Sequence, residues 1–153
     1  MRIPYKSYPS DSPSTALPRD KVQWYPVIPV RVTDRRMQTQ TKAFHAIVDS
    51  GSTACLFHSS FLQPFGIPLE SGLPGKIGSI EAGKGVPVFY HDVGLVVAGN
   101  WRITIRAGFC AHLAVAGILG RYGFFDSFTV KFDHSMHPPV VEILAIEAER
   151  ARP

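Results

Sequence analysis

The stretch AFHAIVDSGSTACLF, residues Ala43–Phe57, contains the most informative pattern in this chain of 153 residues. Its first six residues form a short apolar run that predicts a buried strand. The run stops at Asp49, and Asp49-Ser50-Gly51 predicts a tight turn, because glycine accepts backbone angles that other residues avoid. A carboxylate placed directly after a buried strand is costly unless something compensates it. Asp49 is therefore the first candidate for a functional group.

Apolar and alternating runs continue on both sides of this stretch. Together they predict strands over residues 27–32, 43–48, 54–57, 86–97, 101–109, 113–119, 128–132 and 140–146. A short helix is predicted over 121–125, but no helical run is long enough to connect the strands of a parallel sheet. About eight short strands with one or two helical turns predict an all-β fold, either a small barrel or a sandwich.

Prolines, serines and glycines add detail to this outline. Pro29 predicts that the strand over 27–32 lies at a sheet edge, since proline lacks a backbone donor. Ser59 or Ser60 is expected to cap a short helix, and Gly66 is expected to end it.

Composition limits the size and class of the protein. A chain of 153 residues with 45% hydrophobic side chains has enough apolar material for one domain core. We expect this domain over residues 21–147, between a flexible Pro- and Ser-rich arm over 1–20 and a tail over 148–153. The arm has no apolar signal-peptide core, and no apolar run reaches the roughly 20 residues that cross a membrane. We therefore expect a cytoplasmic protein with no membrane partner.

The charge pattern argues against a nucleic-acid partner. The 16 Lys and Arg residues and 12 Asp and Glu residues give a formal net charge of +4. These positive charges are spread along the chain and do not form the basic patch typical of nucleic-acid binding. A small barrel that binds nucleic acid through this charge and exposed aromatic residues such as Trp24 and Tyr25 is an open alternative. Steep salt dependence of oligonucleotide binding would support it.

Three motifs come close to known chemical signatures without completing them. Residues Gly78–Gly85, GSIEAGKG, approach the phosphate-binding pattern, but strand-forming residues follow where a helix must begin. His134 and His137 lie in a proline-rich stretch without a third reliable metal ligand. Cys55 and Cys110 are interpreted as two buried thiols. We therefore expect neither a metal nor a cofactor.

Two parts of the chain, taken in order, resemble the retropepsin-like aspartic proteases, which include the retroviral proteases and their bacterial relatives. The first is Ala43–Phe57, which resembles the family's apolar strand and its D-[ST]-G-[AS] active-site loop. The second is Ala116–His134, AGILGRYGFFDSFTVKFDH, in which Ile118-Leu119-Gly120 resembles the family's later hydrophobic-hydrophobic-glycine element. The glycine-rich residues between them, near Ile77–Gly85, occupy the position of the family's flap hairpin. The resemblance implies the small closed β-barrel of this family.

The same resemblance implies an activity and an assembly. Asp49 would be half of the catalytic pair of carboxylates of an aspartic endopeptidase, whose substrate is a polypeptide. Pepsin-like enzymes have two such loops in a chain of about twice this length, so the single loop here implies a homodimer with Asp49 facing its symmetry mate. The other site residues implied by the resemblance support this loop: Ser50, Gly51, Ser52, Ile118, Leu119, Gly120 and Arg121.

The chain departs from the retroviral pattern at Thr53. Retroviral enzymes carry an acidic residue at this position, paired with the arginine that follows the second motif. Here Arg121 is present but Thr53 is neutral, so any partner of Arg121 is expected to be another residue. A binding or assembly module of the same fold without catalysis is therefore an alternative. It predicts a monomer, or a dimer whose two Asp49 carboxylates lie far apart.

Overall fold

The computed structural model describes residues 1–9, 21–78 and 85–146. Within these residues the chain forms twelve strands and two short 3₁₀ helices. The strands are β1 Arg2–Pro4, β2 Lys6–Pro9, β3 Val22–Tyr25, β4 Val27–Thr33, β5 Phe44–Val48, β6 Leu56–His58, β7 Leu73–Ile77, β8 Val86–Val97, β9 Trp101–Cys110, β10 Gly117–Leu119, β11 Phe128–Asp133 and β12 Val140–Ala145. The 3₁₀ helices cover Ser59–Phe65 and Leu69–Ser71.

Six of these strands close into a barrel in the order β4-β5-β10-β6-β9-β8. The barrel closes because β4 pairs with β5 through Val27–Val30 and with β8 through Val30–Thr33. The first half of β8 extends past β4 and pairs with β7. Outside the barrel, β1, β12 and β11 form a three-stranded sheet, and β2 pairs with β3. The predicted all-β fold, a small closed barrel with short helices, is confirmed.

Alternating side chains of the barrel strands fill its interior. Residues that point inward are almost fully buried and include Ile28, Val30, Val48, Phe57, Leu95, Val97, Phe109 and Leu119. Each large apolar side chain removed from water stabilises the fold by about 1.5–3 kcal/mol. Because successive strand residues point to opposite faces, the residues between these core positions lie on the outer surface of the barrel.

Residues 2–9 depart most clearly from the expectation. The prediction of a flexible arm is wrong here, because β1 pairs with β12 and β2 pairs with β3. Tyr5 connects the two strands, is only 5% exposed, and donates its backbone N–H to the carbonyl of Pro139 at 2.8 Å. Edge strands tolerate prolines such as Pro4 and Pro9, because one side of an edge strand forms no hydrogen bonds to a neighbouring strand. Residues 10–20, residue 147 and the tail lie outside the described residues.

The strand β4 lies inside the barrel, contrary to the edge position predicted from Pro29. The carbonyl of Pro29 accepts a hydrogen bond from the N–H of Ala98, in the turn after β8, at 2.8 Å. In an antiparallel pair, one residue directs its N–H and its C=O toward the same neighbour. The N–H that Pro29 lacks would therefore face this turn. Its absence costs β4 no hydrogen bond within its pairs with β5 and β8.

Two predicted elements are shorter than expected or absent. The strand predicted over 113–119 is limited to Gly117–Leu119, and the apolar residues before it form a loop. The helix predicted over 121–125 is a series of turns. Gly123 adopts a φ of 98°, which interrupts a right-handed helix.

The other predicted helix is present as the 3₁₀ helix Ser59–Phe65, and Gly66 ends it with a φ of 64°. The predicted cap is wrong, because His58 caps the helix in place of Ser59 or Ser60. The Nδ1 of His58 accepts a hydrogen bond from the backbone N–H of Ser60 at 3.2 Å. The imidazole nitrogen thus satisfies a helix-start donor that a serine oxygen more often satisfies.

In the part of the chain that the structure describes, no helix combines the length and the apolar character needed to cross a membrane. The expected cytoplasmic location stays a prediction.

Candidate active site

Asp49 directly follows β5 and is half-buried. Its backbone N–H donates to the carbonyl of Leu119 on β10 at 3.0 Å, where β5 and β10 run parallel. Its Oδ1 accepts a hydrogen bond from the backbone N–H of Gly51 at 2.8 Å. Oδ2 receives no hydrogen bond from any residue that the structure describes. The barrel and the turn therefore fix the carboxyl group through one oxygen and leave the other available.

The three residues after Asp49 contribute to the turn in different ways. Gly51 leaves room for the carboxylate, since a Cβ at this position would lie 3.0 Å from Oδ1 of Asp49. Ser52 donates its N–H to the carbonyl of Asp49 at 3.2 Å and its hydroxyl to the carbonyl of Ala54 at 2.8 Å. Ser50 is exposed, and its hydroxyl bonds no described residue. Its expected role in supporting the loop stays a prediction.

The residues after β10 pass directly behind this loop. The N–H of Arg121 donates to the carbonyl of Ser52 at 3.0 Å, and the N–H of Tyr122 donates to the carbonyl of Thr53 at 2.8 Å. Gly120 permits this approach, because a Cβ at this position would overlap the backbone carbonyl of Ala54. The structure thus brings together the two sequence motifs, which are about 70 residues apart, as long-range strand pairing allows.

The two hydrophobic residues of the second motif point to opposite faces of β10. Leu119 is fully buried in the barrel core and lies opposite Val48 of β5. Ile118 is half-buried on the outer face and lies opposite Ile47. One residue therefore anchors the loop of Asp49, and the other is on the surface beside it.

A groove of about 770 Å³ opens beside Asp49. Its lining residues come from the loop of Asp49, from strands β6, β10, β7 and β8, and from the loop before β10. The residues that define its walls include Asp49, Ala54, Leu56, Ile77, Tyr90 and Ile118. Among the described lining residues, Asp49 is the only carboxylate. The described lining also contains the cation Lys76 and the hydroxyl groups of Ser52, Thr53 and Tyr90, so the groove presents both apolar and polar side chains beside Asp49.

The start of the glycine-rich segment, which we expected to form a flap, lies at this groove. Ile77 and Gly78 line it, and Ile77 lies opposite Val86 in the antiparallel β7–β8 pair. Residues 79–84 lie outside the described residues, so the flap itself stays a prediction.

Arg121 forms a hydrogen bond with Thr53, the residue that was not expected to be its partner. Its Nη2 donates to the hydroxyl oxygen of Thr53 at 3.3 Å, so the expectation of a different partner is wrong. Threonine keeps a hydrogen-bond acceptor at this position, although it lacks the charge of a carboxylate. Both residues are exposed. The contact therefore adds a hydrogen bond between two side chains to the backbone hydrogen bonds that join the two motifs.

Cys55 directly follows the loop of Asp49 and is fully buried. Its thiol donates to the carbonyl of Gly120, with the sulfur 3.8 Å from the oxygen. Burial raises the pKa of the thiol from 9.0 to about 11. A protonated, inaccessible thiol is not a nucleophile. Cys55 is therefore a packing residue and does not compete with Asp49 for a chemical role.

This raised pKa predicts a loss of stability in alkali. The unfolded chain releases the Cys55 proton near pH 9, whereas the folded chain holds it to about pH 11, so this stabilising contribution is present below pH 9 and is lost as pH rises toward 11. The full effect is about 2–3 kcal/mol. It is measured as the urea-unfolding free energy from pH 8 to 11. Cys55→Ala should lower this free energy at pH 8 and show a smaller further loss at pH 11, and parallel pH curves for the two proteins would contradict the assignment.

The two histidines that were considered as metal ligands contact aromatic residues of the N-terminal strands. His134 Nε2 lies 3.2 Å from the hydroxyl of Tyr5, and the ring of His137 packs edge-on against Trp24. Trp24 is half-buried, in contrast to the exposed position expected for it. Among the described residues, no group of three His, Cys, Asp or Glu side chains is arranged to hold a metal ion.

Several groove residues were not among the predicted site residues. Leu56 on β6 and both Val86 and Tyr90 on β8 line the groove. Their local sequence resembles that of core strands, and only the order of the strands shows that they point outward beside Asp49. One sequence signal could have identified Leu56: side chains of a strand alternate between its two faces, and the neighbours Cys55 and Phe57 point into the core.

The barrel, the loop and the groove can be compared with known proteins. The fold is retropepsin-like. It is similar to that of a retropepsin-like aspartic protease from Rickettsia conorii, with a TM-score of 0.54, 12% sequence identity, and coverage of 78% of this chain and 83% of that chain. No protein-family model matches the chain, and no curated protein matches it at a significant level. The comparison shows a common fold, and the chemistry of the site has to be inferred from its own residues.

Proposed function

We propose that this chain is an aspartic endopeptidase, in which two Asp49 carboxylates, one from each chain of a homodimer, activate a water molecule to hydrolyse a peptide bond. The position of Asp49 carries the proposal. One of its oxygens is held by the N–H of Gly51, the other is available, and the residue opens onto a groove lined by both apolar and polar side chains. The retropepsin-like fold supports the same chemistry.

Two carboxylates divide the proton transfers that this hydrolysis needs. At a separation of about 3 Å both cannot ionise, so the pair shares one proton. The ionised carboxylate takes a proton from the water as its oxygen attacks the carbonyl carbon of the substrate. The protonated carboxylate donates its proton to the carbonyl oxygen, which becomes a hydroxyl. As the C–N bond breaks, the carboxyl that took the water proton passes it to the leaving nitrogen, and the other carboxylate takes back the proton of the hydroxyl, which restores the pair. The scheme uses neither a metal nor a cofactor.

The second carboxylate comes from a second chain in this proposal. Among the described lining residues, the groove contains only Asp49 as an acid. A two-fold axis beside the turn Asp49–Gly51 would bring the two copies of Asp49 together, and two-fold symmetry is the commonest for protein dimers. The exposed hydroxyl of Ser50 lies in the same turn and is available to the partner chain.

The groove favours an extended polypeptide as substrate. Leu56, Ile77 and Ile118 provide apolar walls beside Asp49. Apolar substrate side chains gain free energy when such walls remove them from water. We therefore expect cleavage between residues whose side chains are mainly apolar.

Cleavage and sedimentation measured on the same sample test the proposal. The purified chain is incubated at mildly acidic pH with a proteome-derived peptide library, with and without a pepstatin-type inhibitor, and the products are identified by mass spectrometry. We expect inhibitor-sensitive cleavage that is fastest below neutrality, because the pair needs one proton. A strict monomer at micromolar concentration without cleavage would overturn the proposal and favour a binding or assembly module.

A further inference from the structure

The ring of Tyr90 lies in a space left by two glycines on the neighbouring strands. It is half-buried on β8 and lines the same groove as Asp49. A Cβ on Gly75 of β7 would lie 2.7 Å from Cε2 of the ring, and a Cβ on Gly108 of β9 would lie 3.2 Å from Cε1. Gly108 faces Tyr90 directly across the β8–β9 pair. Two glycines on the neighbouring strands thus leave the space that the ring fills, and a larger residue at either position would displace it.

Tyr90 adds a phenol hydroxyl to a groove whose lining includes several apolar side chains. Among the described residues, none forms a hydrogen bond with it. The side chains that adjoin the same two glycines include Leu56 and Val88, which neither donate nor accept hydrogen bonds, and Lys76 is the one cation among the described residues that line the groove. A phenol can both donate and accept hydrogen bonds. The hydroxyl is therefore available to a ligand, and the ring that carries it is held in place.

We propose that Tyr90 determines substrate specificity by hydrogen bonding to the tip of a substrate side chain that has an aliphatic stem. Glutamine fits this chemistry: its methylene groups would pack on the apolar walls, and its amide would pair with the hydroxyl. Methionine has nearly the same length and lacks the amide. This inference rests on the proposed protease function, and it adds a class of substrate to it. The two-fold symmetry of the dimer would give one such subsite on each side of the scissile bond.

Matched peptides measure this preference. Sequences cleaved in the library are synthesised with glutamine or methionine at each position flanking the scissile bond, and kcat/KM is measured for the wild type and Tyr90→Phe. The ratio of the glutamine value to the methionine value should fall about three- to tenfold in Y90F at one symmetric pair of positions, as for the loss of one neutral hydrogen bond. Gly75→Ala should lower the same ratio, because it displaces the ring and keeps the hydroxyl.

Tyr8→Phe is the matched control, since Tyr8 is 44% exposed on β2 and does not line this groove. Its ratio should equal that of the wild type. If Y90F cleaves both peptides with an unchanged ratio, or if Y8F changes the ratio as much, the role of Tyr90 is overturned and the protease function stands. If the wild type cleaves no peptide at all, the proposed function fails, and the role of Tyr90 fails with it.

Discussion

Asp49→Asn is expected to lower kcat/KM at least about a thousandfold, because an amide can neither remove a proton from water nor share one with the second carboxylate. The substitution keeps the shape of the side chain. The amide oxygen can still accept the hydrogen bond from the N–H of Gly51 that holds Oδ1 in the native protein. The turn, the fold and the dimer should therefore persist, and only the proton transfer is removed. Peptide cleavage at mildly acidic pH gives the rate, and circular dichroism and sedimentation test the fold and the dimer.

Asp92→Asn is the matched control for this result. It makes the same chemical change at a carboxylate outside the groove lining. Asp92 forms an exposed ion pair with Arg106 at 2.8 Å, and the hydrogen bond from Arg106 lowers the pKa of Asp92. Exposed pairs contribute little to stability, so D92N should retain wild-type activity. Retained cleavage by D49N, or equal losses in the two variants, would exclude Asp49 as the catalytic carboxylate.

Gly120→Ala is expected to destabilise the fold by about 4 kcal/mol, more than a single added methyl group usually costs. The added Cβ would overlap the backbone carbonyl of Ala54, which cannot rotate away as a side chain can. To relieve the overlap, residues 52–54 must separate from residues 120–122. Both backbone hydrogen bonds between them, from Arg121 and from Tyr122, would then be lost. Urea unfolding at one fixed chain concentration measures the change, since the stability of a dimer depends on concentration.

Gly66→Ala is the control for this substitution. Gly66 has a φ of 64°, and a Cβ there would meet no atom within 4 Å. Its cost should be limited to the left-handed backbone, about 1–2 kcal/mol. If G120A costs no more than G66A, the close contact between the two motifs does not stabilise the loop as described.

The turn at Asp49 and its meeting with the second motif could be predicted from the sequence, because the residues involved are locally distinctive; the catalytic role of these residues stays a prediction. Asp49 and Gly51 follow an abrupt end to an apolar run, and Gly120 follows another. Their resemblance to a known family predicted that the two segments meet, and the hydrogen bond from Asp49 N–H to Leu119 shows that they do. These predictions depend on short patterns in which each residue type has a steric reason.

Other features could not be predicted because they depend on contacts between distant segments. Tyr5 looks like part of a polar, proline-rich arm, and it is buried only because β12 and residue 139 lie beside it. Pro29 predicts a strand at a sheet edge, but the backbone N–H that it lacks would face the turn at Ala98, and this turn lies beside Pro29 only in the folded barrel. Tyr90 looks like an ordinary strand residue until β7 and β9 bring Gly75 and Gly108 against its ring. Local patterns do not contain this information.

Mixing the wild-type chain with the D49N chain tests most directly whether one active site is built from two copies of Asp49. Wild-type chains are equilibrated with an equal amount of D49N chains, so that dimers exchange subunits at random, and peptide cleavage is compared with that of the same wild-type chains alone. If each site needs both carboxylates, mixed dimers are inactive and total activity falls to about half. Activity that stays unchanged after complete exchange would mean that each chain works with its own Asp49, and it would contradict the account.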